Sequence, residues 1–528
     1  MVTGMAGMVS TANSNSVRLL LFIACLFSTA AWGGDWRFSR KLALSERYSD
    51  NVNLNVKGQE QTDWITEITP SLSVQRAGAR LKVNADYSLQ GLFYANDNTR
   101  NDVRHNLNGR ANAEFVENWL YMDASARMSQ ALTSLNGGND VEDPVGSGNT
   151  TTVGSYTLSP YLKHRFGSSA TVEARLSQDG VLISDSSASD TSTNRYQLNA
   201  VSGSDFLPLS WSASYLNSNT SNSGAADSGN EKASANARYQ VTKNFGLLAQ
   251  ASSEKNDFAG ASTQVLDYSS YGFGAFYTPS RKISLDALYN QSDNGSFISG
   301  NVRLNPTART AISFSTTERA YGRSYSLNLA HRTKRSNWNV SYRDDLTTSQ
   351  QQFLNYIGSG FLYSCTSPPP DDELLFASKP LTDPPNCTFV GARNYFNQTL
   401  LNETYLSKSL IGSVRYSLRR NTWQLSLFDT QREFQIRSGG DSTRGLQASW
   451  SLRPAVRTTF TLTGGLSQAE VSTGNREDEL WNIGLVATRQ FQTKVSGSVE
   501  ARHRERVSNQ ANSDYSENSL AARLNMAF

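Results

Sequence analysis

Apolar and polar residues alternate with period two along nearly the whole chain. From Leu81 to Gln90, the apolar members are Leu81, Val83, Ala85, Tyr87 and Leu89, and the polar ones are Lys82, Asn84, Asp86, Ser88 and Gln90. Successive side chains of a strand face opposite sides, so such a segment has one greasy face and one wet face. Leu120, Met122, Ala124, Ala126 and Met128 alternate in the same way with Tyr121, Asp123, Ser125, Arg127 and Ser129. The pattern returns at Val103–Phe115, Ala233–Val241, Tyr271–Tyr277, Ile283–Tyr289, Leu446–Leu452 and Trp481–Ala487. About 24 such segments occur, each near the roughly 9–11 residues that a tilted strand needs to cross a bilayer.

The connectors alternate between short and long. Arg76–Ala79, Val116–Trp119, Phe166–Ser169, Val241–Asn244, Thr278–Lys282, Arg419–Thr422 and Gln490–Lys494 are short. Ser49–Asp63, Gln130–Thr150, Asn217–Glu231, Ser252–Asp267 and Arg504–Asn518 are long and polar. Short turns on one side and long loops on the other mark an outer-membrane barrel. The expected fold is an all-β, transmembrane, antiparallel up-and-down β-barrel of about 24 strands (roughly 20–26), with both termini on the periplasmic side. Tryptophans stand at strand ends: Trp119, Trp211, Trp338 and Trp423 after short connectors, Trp64 and Trp481 after long ones. Amphipathic rings are expected there, at the two membrane interfaces.

The two ends of the chain add to this. Arg18 precedes the apolar run Leu19–Phe27, and small residues follow up to Gly33 and Gly34. A basic start, a short apolar core and a small-residue zone read as a secretory signal over residues 1–33, cleaved after Gly33. Cys25 is an alternative lipidation cysteine, but Phe22 suits that motif poorly. At the other end Leu520, Ala522, Leu524 and Met526 lead to a terminal Phe528. Alternating apolar residues closing on an aromatic resemble the signal that barrel assembly machinery reads on a last strand.

Composition narrows the function. With 38% hydrophobic and 18% charged residues and a net charge of +3, the chain is too polar for helical spans and too balanced to suggest nucleic-acid binding. The mature charge is +3 − 1 = +2, because residues 1–33 carry one Arg. Two cysteines then remain, Cys365 and Cys387, and an exported chain is expected to join them as a disulfide. They lie in Gln350–Thr404, the longest connector, expected to be an extracellular lid or constriction, or a passive stapled loop.

The water-facing wall follows from parity. Its basic members are Lys82, Arg104, Arg110, Arg127, Arg175, Arg238, Arg303, Arg343, Arg415, Arg453, Arg502, Arg504 and Arg523. Its acidic members are Asp86, Glu114, Asp123, Glu173, Asp286 and Glu500. An excess of basic over acidic residues predicts preference for anionic solutes or an anionic polymer. Cross-strand pairing that only stiffens the wall is the competing expectation. His105, His164, His331 and His503 all share parity with the apolar face. A histidine-dependent active site in the lumen is therefore not expected, and neither metal spacing nor a phosphate-binding loop is evident. Asn139–Asp143 lacks the ligand spacing of a calcium loop.

Tyr48-Ser49-Asp50-Asn51-Val52-Asn53-Leu54, Ile68-Thr69-Pro70-Ser71-Leu72, Leu158-Ser159-Pro160-Tyr161-Leu162 and Arg165-Phe166-Gly167 carry a further signal. Together they resemble the PEP-CTERM-system-associated outer-membrane β-barrel family found near exopolysaccharide loci. The resemblance spans the mature chain and implies a barrel that serves exopolysaccharide export or secretion. It implies no catalytic residues or cofactor. The expected partners are outer-membrane lipid, the barrel assembly machinery, polysaccharide and periplasmic export components, and no nucleic acid. A general or anion-preferring diffusion porin is the second expectation. A structural or adhesive barrel with a blocked lumen is the third.

Overall fold

The computed structural model describes residues 36–131, 144–145, 150–184, 190–223, 227–257, 267–349, 351–352, 404–435, 438–472 and 474–528, and the backbone alone of 132, 258, 265–266, 359–365, 375–376 and 387–394. The expected signal segment lies outside the described residues, as does most of the 350–404 connector.

Twenty-four antiparallel strands form one sheet. Seventeen run in chain order from β1 (Trp36–Ser49) and β2 (Asp63–Ala77) to β17 (Ser336–Thr348), and seven from β21 (Thr404–Ser417) to β27 (Tyr515–Ala527). Each pairs with its sequence neighbour, and β17 pairs directly with β21. The sheet closes where β1 meets β27, from Lys41↔Ala527 to Ser49↔Ser519. Closure leaves no strand edge unpaired, the condition for a sheet to stand in lipid. A small separate sheet is formed by β18 (Ser359–Cys365), β19 (Leu375–Phe376) and β20 (Cys387–Asn394). Its register sets Cys365 opposite Cys387. The bond between them stands as a proposal.

The two faces of the wall are distinguished by reach. Arg319 on β15 (Thr310–Arg319) contacts Glu254 on β11 (Phe245–Phe258) at 2.8 Å. Strands that far apart can meet only across the concave side. That fixes the inward series, and the register carries it around the wall without a break. The other series holds the large exposed apolar residues, among them Phe38, Tyr271, Phe273, Tyr289, Ile298 and Leu466. Trp64, Trp119, Trp338, Trp423 and Trp481 are exposed on it too, and Trp423 stacks on Trp450 at 5.4 Å. An apolar outer face on an edge-free barrel is the architecture of a Gram-negative outer-membrane protein. The outward residues of the last strand are Leu520, Ala522, Leu524 and Met526. Phe528 stands just beyond it, 70% exposed, with its N–H bonded to the Arg40 carbonyl.

Two expectations about connectors fail. The strands run past the apolar band, so β11 extends to Phe258 and β9 (Leu209–Asn222) and β10 (Ser228–Gln240) are parted only by residues 223–227. Outward positions turn polar at the membrane boundary, which ends the hydropathy signal, but ladder hydrogen bonding continues beyond it. The short-long rule also breaks. On the long-loop side, β13 (Ile283–Ser292) joins β14 (Gly295–Thr307) through two residues, and β15 joins β16 (Gly322–Arg332) through two more. Gly295 takes φ +124°, a conformation that side chains disfavour, and lets the first of these hairpins turn so tightly.

Candidate functional site

The lumen wall is the candidate site. All thirteen basic residues expected there lie on the inward series: Lys82, Arg104, Arg110, Arg127, Arg175, Arg238, Arg303, Arg343, Arg415, Arg453, Arg502, Arg504 and Arg523. Period two and a fixed register leave no other choice for a residue flanked by outward apolar neighbours. The same register places Arg47, Arg319, Arg432, Arg476 and Arg506 inward as well. These stand near strand ends, where apolar neighbours thin out and parity is harder to follow.

Part of the expected basic excess is neutralised. Besides carboxylates that the alternation singled out, the inward series holds five that it did not, Glu67, Asp179, Glu254, Asp478 and Glu517. All five are buried. Glu254 holds Arg319 at 2.8 Å and Lys232 at 3.4 Å. Arg195 meets Asp179 at 3.3 Å and Arg523 meets Glu67 at 3.2 Å. Arg175 reaches Asp123 at 2.8 Å and Glu173 at 3.3 Å, and its guanidinium lies 3.8 Å from the centre of the Tyr161 ring. Arg47 reaches Glu500 across β27 at 3.2 Å. Paired charges line much of the extracellular half, and Arg175 with Asp123 and Glu173, and Arg238 with Asp286 at 3.4 Å, continue them toward the short turns, so the competing expectation of cross-strand pairing holds for these residues.

Glu517 is the most enclosed of these carboxylates, with no exposed surface. Arg504 Nε lies 2.9 Å from it and Arg502 Nη2 3.6 Å. These are charge contacts off the hydrogen-bond axis. The hydroxyl of Ser49 on β1 does donate a hydrogen bond to it, at 3.0 Å.

Burial differs between the two halves of the lumen. Toward the long loops, inward side chains are withdrawn from water: Ile65, Leu92, Tyr94, Tyr405, Asn256, Asn290 and Arg504 are all below 5% exposed. Part of the cover comes from loops folded inward. Val52 of the first loop and Val145 pack on Ile65, Leu92 and Tyr94. The Tyr94 hydroxyl donates to the Pro144 carbonyl at 2.6 Å, and the Arg100 guanidinium lies over the Tyr94 ring. Sequence reasoning placed the constriction in the 350–404 connector and missed this cluster, because a lone Val in a polar loop carries no periodicity. Toward the short turns the inward side chains Lys82, Arg110, Lys163, Arg303, Arg332 and Gln490 are exposed.

The four histidines face outward. His105 Nδ1 and His331 Nδ1 lie 2.8 Å from the Tyr87 and Thr310 hydroxyls, and His503 Nδ1 lies 2.8 Å from Asn518 Oδ1. His164 stacks on Trp119 at 3.8 Å. No group of three or more His, Cys, Asp or Glu side chains suited to a metal occurs among the described residues.

No protein-family profile and no curated protein matches the chain. Among solved structures, it is similar to the FrpB iron transporter from Neisseria meningitidis (F5-1 variant), at 10% identity over 94% of this chain and 83% of that one, with a TM-score of 0.46. It is similar to the siderophore receptor PirA from Pseudomonas aeruginosa, at 10% identity over 93% and 80%, with a TM-score of 0.40. It is also similar to OpdK from Pseudomonas aeruginosa, solved with vanillate, at 9% identity over 93% and 99%, with a TM-score of 0.34. The fold assignment rests on the closed register described above.

Proposed function

We propose that this barrel is an outer-membrane channel for export of exopolysaccharide. The observation that carries the reading is the unequal lumen. Its periplasmic half presents exposed Arg, Lys, Asn and Gln side chains, and its extracellular half is narrowed by inward-folded loops and paired charges. A polar interior open to the periplasm suits a hydrophilic chain arriving from that side, and the narrowed half supplies a constriction. Passage is passive, and the polymer exchanges water for hydroxyl, amide and guanidinium donors along the wall. The family resemblance supports the same reading. The buried extracellular half favours one rival, a structural barrel that does not conduct.

Two measurements test the reading. Deletion of the gene abolishes surface polymer if the barrel exports it and leaves polymer unchanged if it does not. Refolded mature protein in a planar bilayer passes current across a salt gradient if the lumen conducts. A diffusion porin conducts and leaves surface polymer intact on deletion, and a structural barrel does neither. Repeating the recording with reductant tests whether a Cys365–Cys387 bond limits the current.

A further inference from the structure

The periplasmic turns of this barrel divide into two arcs of different charge. The first five connect strands between β2 and β11, at residues 78–80, 117–119, 167–169, 203–208 and 241–244. They hold two cations, Arg80 and Lys243, and two carboxylates, Glu117 and Asp205. Arg80 pairs with Glu117 at 2.8 Å, and Asp205 accepts a hydrogen bond from the Ser169 hydroxyl. That arc is neutral. The remaining six turns lie at 281–282, 308–309, 333–335, 418–420, 456–457 and 493–494. Every one is basic: Arg281 and Lys282, Arg309, Lys334 and Arg335, Arg419 and Arg420, Arg457, and Lys494. None holds a carboxylate. All nine side chains belong to exposed residues, and none makes an ion pair or side-chain hydrogen bond among the described residues.

The charge continues inward. Just behind this arc the inward series carries Arg303, Arg332, Arg415 and Arg453. On each of β14–β17, β21, β22 (Asn421–Phe434), β23 (Gly440–Ala455), β24 (Thr458–Val471) and β25 (Arg476–Gln492), the three inward positions nearest the turn hold no Asp or Glu, and apart from these arginines are mostly Ser, Thr, Asn and Gln.

We propose that this arc and the wall behind it form a capture site for an acidic polysaccharide, at the periplasmic mouth. The inference rests on the export reading and names its substrate class. Three candidate occupants are separated by geometry. Lipid headgroups surround a barrel evenly, whereas these cations occupy one arc. A folded acidic protein could meet the turn tips, but could not follow the charge onto the inward face of the wall. A flexible anionic chain can do both, and the Ser, Thr, Asn and Gln between the arginines suit its hydroxyls. Concentrated like charge at such a mouth raises the local concentration of counter-ions about 10–1000-fold.

The test uses full-length mature protein in phosphatidylcholine nanodiscs, with polygalacturonate as probe and dextran of matched length as the neutral control. The variant is Lys334→Gln/Arg335→Gln/Arg419→Gln/Arg420→Gln, four exposed turn residues with no partner to lose. Heat-modifiable migration confirms that it folds. Polygalacturonate is expected to bind the parent protein and dextran not to. The variant is expected to bind roughly tenfold more weakly at low salt, with a shallower salt dependence. Arg80→Gln, on the neutral arc, is expected to match the parent.

Equal binding by parent and quadruple variant overturns the site. So does a preference for poly-glutamate over polygalacturonate, which would assign the arc to an acidic protein. Loss of polymer binding when phosphatidylglycerol replaces phosphatidylcholine would assign it to lipid, and also overturns it. The two readings fail separately. A variant that binds no polygalacturonate while cells keep their surface polymer removes the capture site and leaves export standing. A deletion strain with normal surface polymer removes export, whatever the nanodiscs show.

Discussion

Glu517→Gln should destabilise the barrel far more than a carboxylate change in an exposed turn. Glu517 is fully buried on β27 and faces Arg504, whose side chain is 5% exposed, and Arg502, at 14%. Through Ser49 it also reaches β1, so one carboxylate ties three strands around the closing seam. Removing one partner of a buried pair costs about 3–5 kcal/mol, because the charge left behind stays desolvated. Glutamine keeps the volume and an acceptor for Ser49, so the change isolates the charge. The reference is Glu117→Gln, which removes the partner of Arg80 from a pair whose side chains are 53% and 68% exposed. An exposed pair contributes about 1 kcal/mol or less. The assay is urea unfolding of protein refolded in lipid vesicles, followed by tryptophan fluorescence. The expected loss is at least about 3 kcal/mol for Glu517→Gln against under about 1 kcal/mol for Glu117→Gln. The double variant Glu517→Gln/Arg504→Gln should recover part of that loss. A Glu517→Gln protein within about 1 kcal/mol of the parent would refute the argument, since the desolvation penalty would then be relieved by water in the lumen.

Two further outcomes are expected. A Cβ at Gly274 would stand 2.0 Å from the Ala287 carbonyl oxygen and 2.7 Å from Leu288 Cα, both backbone atoms, whereas at Gly300 the nearest atom is 3.4 Å away. Gly274→Ala should therefore cut the refolded, heat-modifiable fraction sharply and Gly300→Ala should not, and equal yields would show that β12 (Val265–Ser280) and β13 can part without penalty. In the periplasmic turn at 203–208, hydrogen bonds from Ser168 and Ser169 hold the Asp205 carboxyl below its ordinary value. A depressed carboxylate contributes stability above its unfolded pKa and loses it as pH falls through the folded one. Asp205→Asn should thus be less stable than the parent at neutral pH and converge with it under acid, and a gap that widens on acidification would reverse the sign.

The alternation made the barrel legible because a wall with lipid on one face and water on the other must repeat every two residues. It reached the strand total and the inward placement of Arg110, Arg303 and Arg415 for that reason. It did not reach Asp179, Glu254 or Glu517. A carboxylate at a strand end is flanked by polar residues on both faces, so parity there carries no contrast. It also missed the burial of Val52 and Val145, which is set by where a loop folds in three dimensions. The basic arc was visible in principle, since Lys334-Arg335 and Arg419-Arg420 stand side by side in the sequence. Its meaning required knowing that these turns share one end of the wall and one side of it.

The seam between β1 and β27 has a consequence for the order of events during assembly. Arg47 and Ser519, which touch across it, are 472 residues apart in the chain. Every other strand can pair with a neighbour that has just been made, because β2 through β27 are linked as successive hairpins or, at β17 and β21, by one longer connector. The first strand has only β2 until the last one arrives, and during that interval the nascent sheet carries two open edges that would template pairing with any other chain. Contacts of such high sequence separation are the slowest to form. A chain of this design therefore cannot leave its escort until its final residues are delivered, and shielding those two edges is the task its escort must perform.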